Sequence, residues 1–236
     1  MARTVKEQEY TGKRNEILAA AQRLVFSKGY ERLTIQDIQV ELNISSGAFY
    51  HYFDSKPALL EAVIERMMQE AEKPLFPIVE SPQLTALEKL QRFFGTIEGL
   101  RGQHKSFLAR LAKVWYADEN AIVRQKVNEA VIKRRAPLID KIIQQGIREG
   151  SFTLLVPDHT GEVILNLLEG MGTIHARLLL SFDQAPDQES LIQEIFSVYR
   201  AYMTAIEQIL GAPARSFYSD DSGDVEAWAA ALRDHS

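Results

Sequence analysis

Residues 34–56, TIQDIQVELNISSGAFYHYFDSK, constrain the fold of this chain more than any other stretch. Thr34 is a residue type that caps helix N-termini, and Asp37 follows it at the spacing of a capping box. Apolar residues then recur at helical spacing and predict one buried stripe: Ile35, Ile38 and Leu42. Asn43 tolerates the left-handed conformation that ends a helix and opens a turn. The stretch therefore predicts two short helices joined by a tight turn.

The second of these helices is predicted over residues 46–52, with Ser45 as its cap. Its exposed face carries small or hydrogen-bonding groups, while Phe49 and Phe53 can anchor the opposite face in a core. Gly47 inside a helix costs about 1 kcal/mol relative to Ala, a cost that makes sense where another surface must come close. Small residues at the start of such a helix let the backbone approach base edges and phosphates. We interpret the stretch as a helix-turn-helix whose second helix enters the major groove of DNA.

The run NISSGAFYHYFDSKPALL resembles the signature of TetR-family transcriptional regulators, and residues 13–70 fit that pattern throughout. The chain departs from the pattern at Gln39 and Leu42, where the family usually has Ala, and at Asn43, where it has Gly. The resemblance implies contacts to phosphates, flanking bases and the groove. The residues that it assigns to DNA binding are Thr34, Gln36, Ser45, Ser46, Gly47, Ala48, Tyr50, His51, Tyr52 and Lys56. The alternative interpretation of the run is an amphipathic helical hairpin.

The composition is that of a globular protein with one large or two small domains: 236 residues, of which 46% are hydrophobic and 25% charged. Without cysteine the chain has no disulfide scaffold, thiolate metal site or thiol nucleophile. Gln22 and Arg23 interrupt the first apolar stretch, residues 17–26, which argues against a signal peptide. No run approaches the roughly 18 apolar residues of a membrane span. We therefore expect a cytoplasmic protein with no membrane partner.

The net charge of −5 is unfavourable for DNA binding, but the charges are unevenly distributed. Through Lys56 there are eight Lys and Arg against seven Asp and Glu, whereas the remainder has 19 against 25. A basic patch on one face matters more for DNA binding than the total charge. Because the excess is small, we expect modest non-specific affinity and a dimer that gathers enough contacts.

A DNA-binding domain of three helices is predicted over residues 1–56. Its first helix spans residues 13–27 and stops at Gly29. Residues 1–12 are polar and are expected to form a flexible arm. Four basic residues could lie along phosphates or in the minor groove: Arg3, Lys6, Lys13 and Arg14. A solvated tail is the alternative for the arm.

The rest of the chain is predicted to be helical, because no period-2 alternation is long enough for a sheet. A connecting helix over residues 57–73 leads into an effector-binding and dimerisation domain, residues 74–210. Helices of that domain are expected at residues 81–99, 106–116, 119–148, 158–180 and 187–210. Pro137 should bend or break the third of them. Residues 211–236 are predicted to be a tail with a short terminal helix. The fold class is thus all-α, with an N-terminal helix-turn-helix domain and a C-terminal helical ligand-binding and dimerisation domain.

The last two helices of the body are apolar on more than one side, so each needs a second partner. Glycine and alanine residues between positions 161 and 176 would allow close approach. We predict a four-helix bundle between two identical chains, with interface residues Ile195, Val198, Tyr199, Tyr202 and Ile206. Such a homodimer would meet half-sites of a near-palindrome about 34–36 Å apart. A central buried helix in a monomer is the alternative.

The middle helices carry aromatic and polar residues on otherwise apolar faces, a pattern typical of a small-molecule cavity. The candidate effector-binding residues are Phe93, Phe94, Phe107, Trp115, Tyr116, Asn166, Glu169, Met171 and His175. Glu169 and His175 stand out, because ionisable groups in an apolar helix need partners. Core packing is the alternative for every one of these residues. The resemblance implies that an unknown small-molecule effector bound here would shift the connecting helix. That shift would change the distance between the two DNA-binding domains (the heads) of the dimer.

An enzyme is not indicated. No two of the five histidines stand at metal-ligand spacing on one helix, and there is no HExxH, P-loop or GxGxxG motif. We therefore predict no catalytic residue, no metal and no cofactor. The favoured function is a homodimeric repressor that a small molecule releases from a near-palindromic operator in double-stranded DNA. A DNA-binding activator, a structural DNA-binding protein without an inducer and an all-helical enzyme are the alternatives.

Overall fold

The computed structural model describes residues 2–102, 115–181 and 184–218, and it is helical without strands over these residues. Its helices are α1 (Ala2–Lys28), α2 (Ile35–Leu42), α3 (Ser46–Tyr50), α4 (Lys56–Glu72), α5 (Leu75–Glu80), α6 (Ala86–Gly102), α7 (Ala121–Glu149), α8 (Thr160–Ser181) and α9 (Gln188–Leu210). A 3-10 turn, Asp118–Asn120, precedes α7. The all-α fold class is confirmed. The helix expected in the tail lies outside the described residues, as does all but the end of the helix expected over residues 106–116.

The chain divides into two compact units. The first consists of Met1–Glu70 and Lys113–Ala130, and the second of Ala71–Ala112 and Val131–Ser236. The first unit holds the helix-turn-helix together with the start of α7, a segment that the sequence had suggested for the body. One long helix therefore contributes residues to both units.

The N-terminal arm is helical, which corrects the flexible arm expected from the sequence. The first helix, α1, runs from Ala2 to Lys28 without interruption. Gly12 is the poorest helix former in the extension, and its cost of about 1 kcal/mol is too small to stop the helix. The inner face of α1 is fully packed further along, where Ile17 and Leu18 are 0% exposed. Gly29 ends the helix as predicted, with φ +85°.

The start of α6 was predicted at the wrong place. The Ser81-Pro82 pair suggested a helix start there, but α6 begins at Ala86. The Thr85 amide donates to Glu88 Oε2 at 2.8 Å, and the Glu88 amide donates back to Thr85 Oγ1 at 3.3 Å. This capping box satisfies two amides at the helix start, so it outweighs the serine–proline signal.

Helix α7 passes through Pro137 without a break, so the second of the two expected outcomes, a bend or a break, does not occur. A proline inside a helix removes one hydrogen bond and costs about 3 kcal/mol. Packing on the following turns offsets that cost, since Ile139, Ile142 and Ile143 are at most 1% exposed. Before the proline, Arg134 Nε donates to both carboxylate oxygens of Glu72 at 2.9 Å. Tertiary contacts on both sides thus hold the helix together through the residue that should interrupt it.

The connection from α7 to α8 folds tightly onto α7. Phe152 is 2% exposed, and its ring packs so closely on Gly146 that a Cβ there would lie 2.0 Å from Phe152 Cδ2. The Gly161 amide at the start of α8 donates to Asp140 Oδ1 at 2.7 Å. The helix was expected from Asp158 but begins at Thr160, and His159 just before it takes a positive φ of 61°. The end of α7 and the start of α8 are therefore joined by direct backbone and side-chain contacts.

Helix α9 has the predicted ends. The Ser190 amide donates to Asp187 Oδ1 at 3.1 Å, and Gly211 closes the helix with φ 60°. Beyond it, residues 212–218 turn back over the body. Glu207, 3% exposed, accepts from the Arg215 amide at 3.1 Å and the Phe217 amide at 3.0 Å. The body core therefore extends at least to residue 218.

By length and composition alone, α8 is apolar enough to cross a membrane, although Glu162, Glu169 and Arg177 interrupt its apolar residues. Three of its residues belong to the buried core of the body: Ile164, Leu165 and Met171. A core helix of a folded domain passes the same test, so α8 is weak evidence for a membrane segment.

Candidate nucleic-acid interface

A capping box holds the entrance to the helix-turn-helix, as the sequence predicted. The Asp37 amide donates to Thr34 Oγ1 at 3.2 Å, and the Thr34 amide and hydroxyl donate to Asp37 Oδ2 at 2.7 and 2.6 Å. Lys28 forms a salt bridge with the same carboxylate. The hydrogen bonds from Lys28 and then from Thr34 lower the pKa of Asp37 from 3.8 to about 2. Thr34, an expected DNA contact, thus uses its hydroxyl as a helix cap.

The depressed pKa of Asp37 predicts a pH-dependent contribution to stability. A carboxylate whose pKa is lower in the folded state stabilises that state above its unfolded pKa of about 4, and the contribution is lost as the pH falls towards about 2. Asp37→Asn should therefore melt below the parent at neutral pH, with a difference that shrinks through this window. Thermal unfolding at a series of pH values measures it, and Lys28→Gln should reproduce part of the loss. Parallel melting curves for parent and Asp37→Asn from about pH 5 to about pH 2 would contradict this assignment.

The turn of the helix-turn-helix has the predicted geometry. Asn43 closes α2 in the left-handed conformation, with φ 50° and ψ 50°. The Ile44 amide donates to Gln39 O at 3.0 Å, which satisfies a carbonyl at the end of α2. Ser45 then caps α3 by accepting from the Ala48 amide at 3.2 Å. The local sequence alone specifies both helix ends.

The outer face of α3 carries little side-chain bulk. Phe49 is 0% exposed and anchors the inner face, whereas Ser46 and Gly47 are exposed. A Cβ added at Gly47 would meet no atom within 4 Å. Tyr50 is 50% exposed at the end of the same helix. A large partner can therefore approach the backbone of α3 closely at Gly47.

The other expected DNA contacts are in different environments. Gln36 and His51 are exposed, and Ala48 and Tyr52 are half-buried. Lys56 is engaged within the protein: its Nζ donates to the Glu31 carbonyl at 3.2 Å and lies 4.3 Å from the centroid of the Tyr30 ring. Burial lowers the pKa of Lys56.

The turn between α1 and α2 is held by a segment far along the chain, a contact that was not predicted from the sequence. The Tyr30 amide donates to Asn120 Oδ1 at 2.8 Å, and the Glu31 amide donates to the Glu119 carbonyl at 3.1 Å. Asn120 is 1% exposed. A Cβ at Gly29 would lie 2.7 Å from Glu119 Cβ, so glycine is needed for this approach. The contact fixes the start of α7 to the helix-turn-helix.

The expected effector-binding residues are divided between the two units. Trp115 and Tyr116 belong to the first unit, where the Trp115 ring lies 6.3 Å from that of Phe26 and Arg124 Cζ lies 5.5 Å from the Tyr116 ring. Phe107 lies outside the described residues. The remaining candidates belong to the second unit.

The second-unit candidates separate further. Three are core residues, at most 4% exposed: Phe93, Phe94 and Met171. Asn166 and Glu169 are exposed, so neither is an ionisable or polar group buried in an apolar helix. His175 is half-buried, and its Nε2 donates to the Ile195 carbonyl at 3.0 Å, because a carbonyl can only accept. His175 thus links α8 to α9.

The expected dimer residues also divide into two groups. Ile206 is 0% exposed within its own chain, so it belongs to that chain's core and we remove it from the interface. The other four are half-buried: Ile195, Val198, Tyr199 and Tyr202. The Tyr199 hydroxyl also donates to the Phe217 carbonyl at 3.4 Å.

No group of three or more His, Asp or Glu residues is placed to hold a metal ion within residues 2–102, 115–181 and 184–218. Acidic side chains of the helix-turn-helix serve as a cap and in ion pairs, such as Arg23 Nη2 to Glu41 Oε1 at 2.5 Å.

Two family models match the chain. Residues 17–63 match bacterial regulatory proteins of the tetR family, and residues 110–171 match the tetracyclin repressor-like C-terminal domain. The first match contains α2 and α3 with the turn between them. The two matches together place a known N-terminal head and a known C-terminal domain type on the same chain.

Curated relatives and solved structures agree with these matches. The HTH-type transcriptional regulator YvaF of Bacillus subtilis is 30% identical over 130 residues, which are 50% of this chain and 68% of YvaF. The HTH-type transcriptional repressor DhaR of Mycobacterium sp. strain GP1 is 24% identical over 89% of this chain and 98% of its own length. This chain spans only 65% of the length of another relative, the HTH-type transcriptional regulator EthR of Mycolicibacterium smegmatis, which is less than two thirds. A transcriptional regulator from Cytophaga hutchinsonii has the same fold, with a TM-score of 0.55, 24% identity, and coverage of 82% of this chain and 98% of that one.

Proposed function

Because this chain belongs to the tetR family of DNA-binding transcriptional regulators, we propose that it is a homodimeric repressor that a small molecule releases from its operator. The operator is a near-palindrome in double-stranded DNA. The protein acts in the cytoplasm, where that DNA is.

The main support for DNA binding is the outer face of α3, which carries little side-chain bulk. Gly47 has open space around it, and exposed Ser46 and Tyr50 flank it. A helix-turn-helix places the N-terminal residues of its second helix against base edges in the major groove. The absence of side-chain bulk at Gly47 permits that approach, and hydroxyl groups on both sides can donate to bases or phosphates.

Two features support dimerisation. The half-buried side chains Ile195, Val198 and Tyr202 lie on one stretch of α9, and their remaining apolar surface is available for burial against a second copy. A weakly basic head gathers few phosphate contacts by itself, so two heads on two half-sites supply the affinity that one lacks. DhaR, which this chain matches over most of its length, is named a repressor, which supports repression over activation.

Release by an effector requires a path from the body to the head. The start of α7 is hydrogen-bonded to the turn between α1 and α2 through Asn120 and Glu119, and the same helix continues to Glu149. Near its end α4 is joined to α7 by the Glu72–Arg134 ion pair. A ligand that favours one position of these helices energetically would change the affinity for DNA.

The test is selection of bound duplexes from a random library by the full-length protein, followed by sequencing. A repressor of this kind enriches a near-palindrome with half-sites about one helical turn apart. Sedimentation should show a dimer that Ile195→Asp dissociates, whereas Ser197→Asp, at an exposed position of α9, leaves it intact. Enrichment of no sequence would refute sequence-specific DNA binding, and a parent that sediments as a monomer would refute the dimer. An operator-binding dimer that no compound from the source cell releases would favour a constitutive DNA-binding role.

A further inference from the structure

An aromatic cluster lies where α3 ends, and one of its rings comes from the N-terminal extension of α1. The Tyr10 ring centroid lies 4.8 Å from that of Tyr52 and 5.6 Å from that of His51. The His51 and Tyr52 centroids are 5.1 Å apart. Two of these three contacts are edge-to-face, with interplanar angles of 85° and 79°, an arrangement that the aromatic quadrupole favours.

The same face of α1 makes a second contact one turn later. Arg14 Cζ lies 5.0 Å from the centroid of the Phe53 ring, and Phe53 is 4% exposed. Positions four apart on a helix lie on one face, so Tyr10 and Arg14 form one contact surface. That surface touches three consecutive residues after α3, from His51 to Phe53.

Tyr10 and Arg14 lie outside the segment that the family model matches, which begins at residue 17. Tyr10 can reach the end of α3 because α1 is helical from Ala2 onward. A flexible arm would not hold a ring at that place.

The end of α3 needs such support. The helix has five residues, and a helix of one turn is not stable by itself. Phe49 and Phe53 fix the inner side in the core. His51 is exposed and Tyr52 is half-buried, and the resemblance to the TetR family assigns both residues to DNA binding. Without a neighbour their rings would have to be ordered when DNA binds, and that ordering weakens binding.

We propose that Tyr10 is a positioning residue for DNA binding, which holds the His51 and Tyr52 rings in their binding orientation before the duplex arrives. The proposal rests on the proposed function for the contact of these two rings with DNA. In this role Tyr10 acts through His51 and Tyr52. Its ring packs on the two contact residues, while its own side chain is 39% exposed at the edge of the cluster.

The first measurement is the affinity of Tyr10→Ala for the selected duplex. We expect a loss of about tenfold, since the freedom of two rings must then be lost on binding. Tyr10→Phe keeps the ring and should bind like the parent. Thr11→Ala is the matched control, because it is a neutral, exposed position on the same turn of α1. Tyr10→Ala binding as tightly as Thr11→Ala would overturn the proposal. So would a Tyr10→Phe protein as weak as Tyr10→Ala, because the hydroxyl would then be the DNA contact.

A double-mutant cycle separates positioning from a general effect on the head. In a Tyr52→Ala background, Tyr10→Ala should cost much less than it does in the parent. Gln36 lies on a different helix, so the losses of affinity caused by Tyr10→Ala and Gln36→Ala should be additive in the double variant. Full additivity in both backgrounds would contradict the proposal.

The dependence of affinity on salt separates positioning from a role of the basic extension. If Tyr10 only kept Lys13 and Arg14 near phosphates, Tyr10→Ala would lower the salt slope by about 0.9 for each phosphate that is no longer neutralised. Positioning of the His51 and Tyr52 rings, with the basic residues of the extension unaffected, predicts a weaker complex with an unchanged salt slope. A reduced slope would overturn the proposal in favour of the basic extension.

The ring contact can be tested without DNA. In the free protein, the His51 ring protons should shift in the proton NMR spectrum of Tyr10→Ala but not of Thr11→Ala. If the selection from the duplex library enriches no sequence, the proposed function fails. The affinities of the Tyr10 and Thr11 variants are then measured on a mixed-sequence duplex at low salt. An unshifted His51 signal would refute the Tyr10 contact even if the operator is found.

Discussion

Gly47→Glu is expected to lower the affinity for the selected duplex at least about a hundredfold while leaving the fold and the dimer unchanged. The fold survives because an added Cβ at Gly47 meets no atom within 4 Å. Binding fails because the new carboxylate would lie against base edges and phosphates, and like charges placed together cost several kcal/mol. Fluorescence anisotropy with the selected duplex measures the loss, and circular dichroism and sedimentation check the fold and the dimer.

Gly47→Ala is the sharper companion variant. Alanine is favoured in a helix by about 1 kcal/mol over glycine, so the free protein should become slightly more stable. Its methyl group should nevertheless weaken binding, because it fills the space that the groove needs. Gly95→Ala is the matched control, since Gly95 lies in α6 and also has open space around it. Gly95→Ala should gain stability and keep full affinity. If Gly47→Ala also kept full affinity, α3 would not approach the DNA closely at that residue.

Gly146→Ala is expected to lower the free energy of unfolding by about 2 kcal/mol, the largest effect on stability that we predict for a single methyl group. The added Cβ would lie 2.0 Å from Phe152 Cδ2 and 2.5 Å from Cε2. An aromatic ring that is 2% exposed cannot retreat without opening the core of the second unit. Chemical denaturation followed by circular dichroism measures the change.

A second substitution tests the cause of that destabilisation. Phe152→Leu alone should destabilise by removing buried area, but it should also make room at Gly146. The double variant Gly146→Ala with Phe152→Leu should therefore be more stable than the sum of the two single changes predicts. Strict additivity, or a Gly146→Ala protein as stable as the parent, would show that the ring does not press on the helix as described.

The helix ends of the head could be predicted because they depend on residues close together in sequence. Thr34 and Asp37 form the capping box, Asn43 takes the left-handed conformation, and Ser45 caps the next helix. Each choice reflects a local hydrogen bond or the sterics of one residue. Asp187 and Gly211 at the two ends of α9 follow the same rules.

Features that depend on distant parts of the chain were missed. No local pattern indicates that the Asn120 side chain accepts from the Tyr30 amide, because the two residues are far apart in sequence. Pro137 should interrupt a helix by local rules, yet packing of the isoleucines after it keeps α7 intact. Tertiary contacts decided both cases, and a single sequence does not display them.

The environments of the expected effector-binding residues also depend on packing between distant parts of the chain. An apolar helix with polar residues predicts a buried polar site only if the polar side faces inward. Glu169 faces solvent, and His175 bonds to the Ile195 carbonyl on the neighbouring helix. Helical periodicity places residues on faces, but the partner of each face comes from the packing of whole helices.

Entry of α3 into the major groove can be tested most directly by cross-linking, because the chain has no cysteine and an introduced thiol is therefore unique. The Ser46→Cys protein is mixed with copies of the selected duplex in which one base carries a disulfide tether in the major groove. The position of the tethered base is moved along the duplex one base at a time. We predict cross-linking at symmetric positions of the two half-sites, and none with Ser27→Cys, an exposed position near the end of α1. If Ser46→Cys cross-linked at no position, or no more efficiently than Ser27→Cys, then α3 would not be the helix that enters the groove.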